Sequence, residues 1–316
     1  MRLLVLGGTS FVGRHLVDAA LAHGHLVTVF NRGRTNPGLF PQAEHRRGDR
    51  DNGHYQTLAA GTWDATVDVS AYVPRHVDQA LDALDGRHGH YVLVSSISAY
   101  DPRAATTAED SSTHPRPAPD TETITPLTYG PLKAACERRA AARLGSDEVA
   151  LVRPTYVVGP HDPTDRFTYW VRLMTHGGKV PIAWPQAPVQ VIDARDLGAF
   201  LLTVAQNRHS GQLDAVGPWA PLSRFLSDLS VPGRPYELVD VGPEALAAAK
   251  VTLPLVSGDP ADRPLMTRPG THAVNAGLQT RSLRQTAADT AGWDRHRGRP
   301  PLTTGPGAQA RATLLG

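Results

Sequence analysis

The sequence is poor in cysteine and lysine. It has one cysteine, Cys136, and three lysines, Lys133, Lys179 and Lys250, in 316 residues. A single cysteine excludes an intramolecular disulfide and suits a reducing compartment, so a cytoplasmic location is expected. No apolar run approaches the ~18 to 20 residues needed to span a bilayer. The N-terminal "MRLLVLGG" runs from a strand-like stretch straight into a glycine turn and lacks the layout of a signal peptide. A strong excess of one charge is also missing. The net charge is +2, and the short basic stretches "HRRGDRD" (45–51) and "DRHRGRPP" (294–301) read as solvated surface, so a nucleic-acid partner is not expected. Arginine holds nearly every basic position, which gives weight to any lysine found in a chemically meaningful place.

The rest of the composition is that of a soluble globular protein. It is 41% hydrophobic and 20% charged, enough apolar material for a large core in one or two domains. Short Val- and Leu-rich runs at 2–7, 25–31, 65–71, 91–96 and 149–155, with a weaker one at 45–49, lack strict alternation, as strands buried on both faces do. Helical patterns at 11–23, 75–84 and 128–144 lie between them. Such alternation predicts a doubly wound parallel α/β sheet. Residues 189–206 add another strand and helix. Segment 101–127 is long and rich in proline, serine and threonine; inside a domain it reads as a lid, a binding loop or a partly disordered stretch. Past 207 the pattern is less regular, with helix candidates near 221–229, 243–250 and 281–292.

The turn "GGTSFVG", Gly7 to Gly13, follows the first strand and opens the first helix. Glycines let the backbone approach a pyrophosphate, whose charge faces the helix N-terminal amides. Gly7 suits the tight turn and Gly13 the close helix packing, with Thr9, Phe11 and Val12 completing the loop. Ser10 stands where a middle glycine is usual; its hydroxyl can itself donate to a phosphate. A plain strand–helix turn is the competing reading. The second strand ends "VTVFNRGR". An acid there would bind a ribose 2′-hydroxyl, but the chain has Asn31, Arg32 and Arg34. A carboxylate repels a 2′-phosphate and an arginine pairs with it, so these residues predict NADP, with NAD as the second candidate.

"TYGPLKAACE" contains Tyr129 and Lys133, four apart and so on one helix face. A nearby ammonium lowers a phenol's pKa and readies it as an acid/base. With 8 tyrosines and 3 lysines, chance predicts only 8 × 3/316, roughly 0.08, such pairs. Ser95 and Ser96 end the strand in "YVLVSSISAY", at the C-terminal strand end where parallel α/β proteins place their sites. A serine there can polarise a substrate oxygen; a strand-end cap is the alternative. The His88-x-His90 pair has no nearby carboxylate or thiol and reads as a solvated loop, and no metal is expected.

"GGTSFVG", "VFNRG", "GDR", "YVLVSSISAY", "YGPLK", "VRPTYVVGP" and "VQVIDARDLG" come in an order and spacing that resemble the extended short-chain dehydrogenase/reductase superfamily, in its NAD-dependent epimerase/dehydratase branch. The resemblance covers about residues 1–206 and is looser beyond. It implies a Rossmann-type fold with a smaller, mixed C-terminal substrate-binding region. The expected division is 1–155 plus 189–206 for the dinucleotide, 156–188 plus 207–298 for substrate, and a tail at 299–316. It also implies roles: Tyr129 as acid/base, Lys133 on the nicotinamide ribose, Ser96 polarising substrate, Asp49 and Arg50 flanking the adenine, Ser70 and Ala71 lining the cofactor, and Pro154 and Thr155 on the nicotinamide side. Where sugar-nucleotide epimerases often carry a diphosphate-binding arginine, seven residues before Asp196, this chain has Val189. His161 and Arg166 in "GPHDPTDRF" are the substitute candidates for holding an acidic small-molecule substrate. The implied function is an NADP(H)-dependent oxidoreductase interconverting carbonyl and hydroxyl groups. An epimerase or dehydratase with tightly held cofactor is the first alternative. A Rossmann binding protein with an RNA or protein partner, as in stem-loop-binding relatives, is the second. A homodimer through the Tyr129–Lys133 helix and its neighbour is an expectation of the resemblance.

Overall fold

Seven strands line up in parallel in the computed structural model, which describes residues 1–104, 112–115 and 121–316. Much of the 101–127 segment read as a lid or binding loop therefore lies outside the described residues. The strands are β1 (Arg2–Leu6), β2 (Leu26–Asn31), β3 (Glu44–Arg47), β4 (Ala65–Asp68), β5 (His90–Val94), β6 (Val149–Pro154) and β10 (Gly211–Ala215). Their order across the sheet is β10-β6-β5-β4-β1-β2-β3. The order reverses between β1 and β4, the kind of crevice where doubly wound sheets bind their ligands. The central strands are buried on both faces, which is why they read as unbroken apolar runs.

Helices α1 (Phe11–Ala22) and α5 (Ala194–Asn207) pack closely; a Cβ on Gly198 would lie 2.7 Å from the backbone of His15. Helices α2 (Pro74–Leu84) and α3 (Tyr129–Leu144) pack with β5 and β6 through Val77, Leu81, Tyr91, Leu93, Cys136 and Ala140. Described parts of the long segment are pinned to this unit. Tyr100 bridges Thr113, and Glu122 pairs with Arg75 of α2 at 2.8 Å.

Contacts divide the chain into two units. The first is Met1–Thr155, Ala194–Val216 and Pro269–Gln279; the second is Tyr156–Asp193, Gly217–Arg268 and Thr280–Gly316. Residues 211–215 and 269–279 thus join the first unit, because β10 pairs with β6 and the short helix α8 (Thr271–Asn275) packs on β10. The second unit holds β7 (Tyr156–Val158), α4 (Arg166–His176), β8 (Gly178–Ile182), β9 (Pro188–Asp193), β11 (Trp219–Pro221), α6 (Leu222–Asp228), β12 (Tyr236–Asp240), α7 (Gly242–Ala248), α9 (Leu283–His296) and α10 (Ala308–Leu315). β9 is parallel to β7 and antiparallel to β11, a small mixed sheet, and β8 pairs with β12. Phe167, Trp170, Met174, Ile182, Phe225 and Leu226 form its core. The stretch 299–316, expected as a tail, carries α10 and packs on β8.

Candidate active site

The glycine turn leaves the C-terminal end of β1. Gly7 has φ +120° and donates its amide to Phe30 O at 2.9 Å; a Cβ there would strike Val69 at 2.4 Å. At Gly13 a Cβ would sit 2.6 Å from the Gly8 nitrogen, so only glycine lets α1 start this close to the turn. Ser10 is the N-cap of α1 in extended conformation, but its side chain makes no cap bond, and the first turn has no acid. The helix therefore presents amide donors that its own side chains do not satisfy. This cradle fits a pyrophosphate. Phe11 meets His15 edge-to-face, with ring centroids 6.2 Å apart.

Asn31 has a different task from a 2′-phosphate contact. Its amide donates to Gly7 O (3.1 Å) and Thr9 Oγ1 (3.3 Å) and its oxygen accepts from the Gly33 amide (2.7 Å), so it braces the cofactor turn from the end of β2. Arg32 and Arg34 are exposed at that end, with Arg32 3.4 Å from Asp51. A further arginine joins them. Arg47 pairs in register with Asn31, and its Nε would lie 3.0 Å from a Cβ on Gly33. Sequence reasoning missed Arg47; counting the β3 register against β2 would have found it.

Arg50 is a correction. It was expected beside an adenine, yet it is buried and its guanidinium is engaged inside the unit. It pairs with both oxygens of Asp68 (2.5 and 2.7 Å) and reaches Ser70 Oγ, His76 O and Tyr55 OH. Asp68 also accepts from Tyr91 OH (2.8 Å) and the Ser70 amide. Burial pushes the Asp68 carboxyl up, but Arg50 and these hydrogen bonds outweigh it and hold it below the ordinary value. Asp49 turns inward on its own loop, accepting from the Asp51 amide and Asn52 Nδ2. Ser70 donates to Leu6 O at 3.0 Å, tying the ends of β1 and β4 together.

Ser96, Tyr129 and Lys133 lie in this same unit. Ser96 follows β5 and caps the short turn Ile97–Ala99, its Oγ accepting from the Ser98 amide at 3.1 Å, which leaves its own proton to donate. Ser95 Oγ is buried with no hydrogen-bond partner. Tyr129 is half-buried and opens α3, and Lys133 follows one turn later. Lys133 is only 3% exposed. Its ammonium donates to Ala71 O (2.9 Å), in the loop after β4, and to Val94 O (2.7 Å) at the end of β5, and has one proton left. Tyr72, unpredicted, places its ring 5.4 Å from Nζ. Cys136 is buried, its thiol pushed up to about 12 by desolvation, and is inert. Thr155 is buried at the end of β6 beside Pro154. His90 is not in a solvated loop: it is buried in β5 and bonds His209 O at 2.8 Å. Among the described residues no three His, Cys, Asp or Glu side chains gather as metal ligands.

The second unit holds His161 and Arg166. His161 has φ +71° and meets Trp293 edge-to-face with centroids 5.4 Å apart. Arg166 donates to Thr164 Oγ1 and lies 5.1 Å over the Tyr156 ring. Neighbouring Asp162 is 1% exposed, with one oxygen accepting from Thr164 and the other unpartnered. Burial raises its pKa.

A parallel sheet with strand order reversed beside a glycine cradle, and a buried lysine one turn from a tyrosine, define a dinucleotide-binding α/β protein. The family model "NAD dependent epimerase/dehydratase family" matches residues 3–216, and the chain belongs to that family. A curated relative, the chloroplast stem-loop binding protein of 41 kDa b from Arabidopsis thaliana, is 23% identical over 67% of this chain; the match spans 57% of that protein's own length. Among solved structures, vestitone reductase from alfalfa superposes with a TM-score of 0.68 at 14% identity, covering 95% of this chain and 99% of that one. UDP-glucuronic acid 4-epimerase from Bacillus cereus, in complex with NAD, gives 0.65 at 15%, covering 94% and 99%. A nucleoside-diphosphate-sugar epimerase from Pseudomonas aeruginosa gives 0.62 at 20%, covering 94% and 98%. At these identities the structures show a shared fold. No helix among the described residues is long and apolar enough to cross a membrane.

Proposed function

We propose that the chain is an NADP(H)-dependent oxidoreductase that interconverts a carbonyl and a hydroxyl on a small molecule. The carrying observation is the buried Lys133, its ammonium fixed by Ala71 O and Val94 O one turn from Tyr129. The bound nicotinamide would supply or accept a hydride. Ser96 donates a hydrogen bond to the substrate oxygen and keeps its proton, Tyr129 gives the single proton to that oxygen or takes it back, and the Lys133 charge favours the phenolate. Gly7, Thr9, Ser10 and Gly13 hold the pyrophosphate, and Arg32, Arg34 and Arg47 receive the 2′-phosphate; β2 itself ends in Asn31 rather than an acid, and Arg32 exchanges its partner Asp51, 3.4 Å away, for the phosphate. His161 and Arg166 are assigned to the substrate. Val189, buried in β9, cannot bind a diphosphate as an arginine there would, which argues against a sugar nucleotide. Ile97 and Ser98 after Ser96 replace the acidic pair that dehydration favours.

The test is calorimetric titration of the full chain with NADPH and NADH, followed by turnover. NADPH should bind about tenfold tighter or more, and Arg47→Ala should remove most of that preference while leaving NADH unchanged. Tyr129→Phe should keep cofactor binding and lose roughly 10²-fold or more in turnover. Equal affinity for the two cofactors would overturn the NADP assignment, and wild-type-like turnover by Tyr129→Phe the chemistry. Catalysis without net NADPH consumption would mark an epimerase instead. The name of the Arabidopsis relative favours a second reading, RNA binding, which predicts salt-sensitive stem-loop binding without any turnover.

A further inference from the structure

A second pocket lies wholly inside the second unit, where the chain after Arg299 folds back on α4. It encloses about 700 Å³, within the ~300 to 1,000 Å³ range of small-molecule sites. Its charge is one-sided. Arg172, Arg234, Arg299, Arg311 and His176 line it, and no aspartate or glutamate does. Arg172 is already matched, bonded through two nitrogens to Asp294 at 2.7 Å each. Arg311 donates to Pro306 O. Among the described residues, Arg234 and Arg299 have no ion-pair partner. Leu173, Pro301 and Leu302 supply an apolar wall.

Two further features point to an anion. The pocket includes the start of α10, where "TTGPGAQARA" places Gly307 at the N-cap; no side chain caps the helix and no acid stands in its first turn. Its amides are therefore available to negative charge. The other feature is Tyr169, which lines the pocket and is 1% exposed, with a hydroxyl that has no hydrogen-bond partner. Its ring is held in place by Gly305, where a Cβ would lie 2.5 Å from the ring. A buried hydroxyl without a partner is costly, and native proteins keep one where something else satisfies it.

We infer that this pocket binds a phosphorylated small molecule, its phosphate held by Arg234, Arg299, the α10 amides and the Tyr169 hydroxyl, its apolar body against Leu173 and Leu302. Guanidinium groups match phosphate oxygens in pairs, and a dianion answers two unmatched arginines where a carboxylate answers one. The site is independent of the nucleotide cradle and of the oxidoreductase assignment.

The test uses the full chain and phenyl phosphate, a phosphomonoester with an apolar body, with inorganic phosphate and benzoate as the other arms. Calorimetry should give the order phenyl phosphate, then phosphate, then benzoate. Arg299→Gln and Arg234→Gln should each weaken phenyl phosphate about tenfold or more. Tyr169→Phe keeps the ring and removes only the hydroxyl. Without ligand it should melt at or above the wild-type temperature, because an unsatisfied buried group has gone, and with phenyl phosphate it should gain less stability than wild type does. Absence of binding, equal affinity for benzoate, or binding untouched by all three substitutions would overturn the assignment. So would a lowered melting temperature of ligand-free Tyr169→Phe, since the hydroxyl would then serve the fold itself.

Discussion

Asp68 is fully buried and faces Arg50 across two hydrogen bonds, so each group neutralises the other where water cannot. Asp68→Asn leaves the guanidinium charged, buried and half-answered. The expected loss is about 3 to 5 kcal/mol, on the order of 6 to 20 °C in melting temperature by differential scanning calorimetry. Arg50→Met with Asp68→Asn should recover most of it, because the uncompensated charge has gone. A melting point unchanged in Asp68→Asn would mean that the pair contributes nothing. Single residues were unevenly legible in the sequence. Ser96, Tyr129 and Lys133 stand out as candidates because local spacing and strand ends mark them. Arg50 could not, because its partner lies 18 residues away on another strand and nothing local says that "GDR" turns inward. Asn31 failed for a related reason: an exposed-looking strand end spends its side chain on the neighbouring turn.

At the level of elements, the turn from β1 to α1 was the most legible part of the chain. Its glycine spacing falls within seven residues, and Gly13 is the tightest position toward the turn's own backbone. A Cβ there meets backbone atoms of Gly8 at 2.6 and 2.7 Å, and backbone cannot swing aside as a side chain can. Gly13→Ala should therefore push α1 away from the turn. Stability should fall by about 1 to 3 kcal/mol, and affinity for the dinucleotide by roughly tenfold or more, read together by thermal melts with and without cofactor. Unchanged affinity with lowered stability would separate the turn from cofactor binding. Elements of the second unit were harder to foresee. β8 and β12 are short and pair across more than fifty residues of intervening chain, and α10 follows a proline- and glycine-rich stretch and has no buried residue of its own. Such elements form through tertiary contact, which leaves little periodicity to read.

For the whole molecule, strand–helix alternation was enough to foresee the parallel sheet, while the interleaving of the two units was not, since it depends on which distant segments meet. Acid stability is also set at this scale. His76 and His90 are 4% and 3% exposed, and burial lowers the pKa of both. Arg50 lowers His76 further; Asp51, 3.2 Å from its Nε2, pulls the other way and is outweighed. The unfolded chain titrates these histidines near the ordinary value of about 6.5. Between that pH and the lowered folded values the unfolded state binds more protons, so stability rises with pH and falls on acidification through this window. Asp68 adds a second, separate limb. Its folded pKa is depressed, so its contribution is present above the ordinary carboxylate value of about 3.9 and is lost as pH falls through the folded one. Urea midpoints between about pH 7.5 and pH 3.5 should hold level at the top, decline from near pH 6.5, and drop again below about pH 4. His76→Asn with His90→Gln, which keep hydrogen-bonding atoms near those of the imidazoles but do not titrate, should shrink the upper limb, to which His25 and His114, also lowered by burial, contribute the rest, and leave the lower one. A first decline undiminished in that double variant would place the proton uptake elsewhere in the chain.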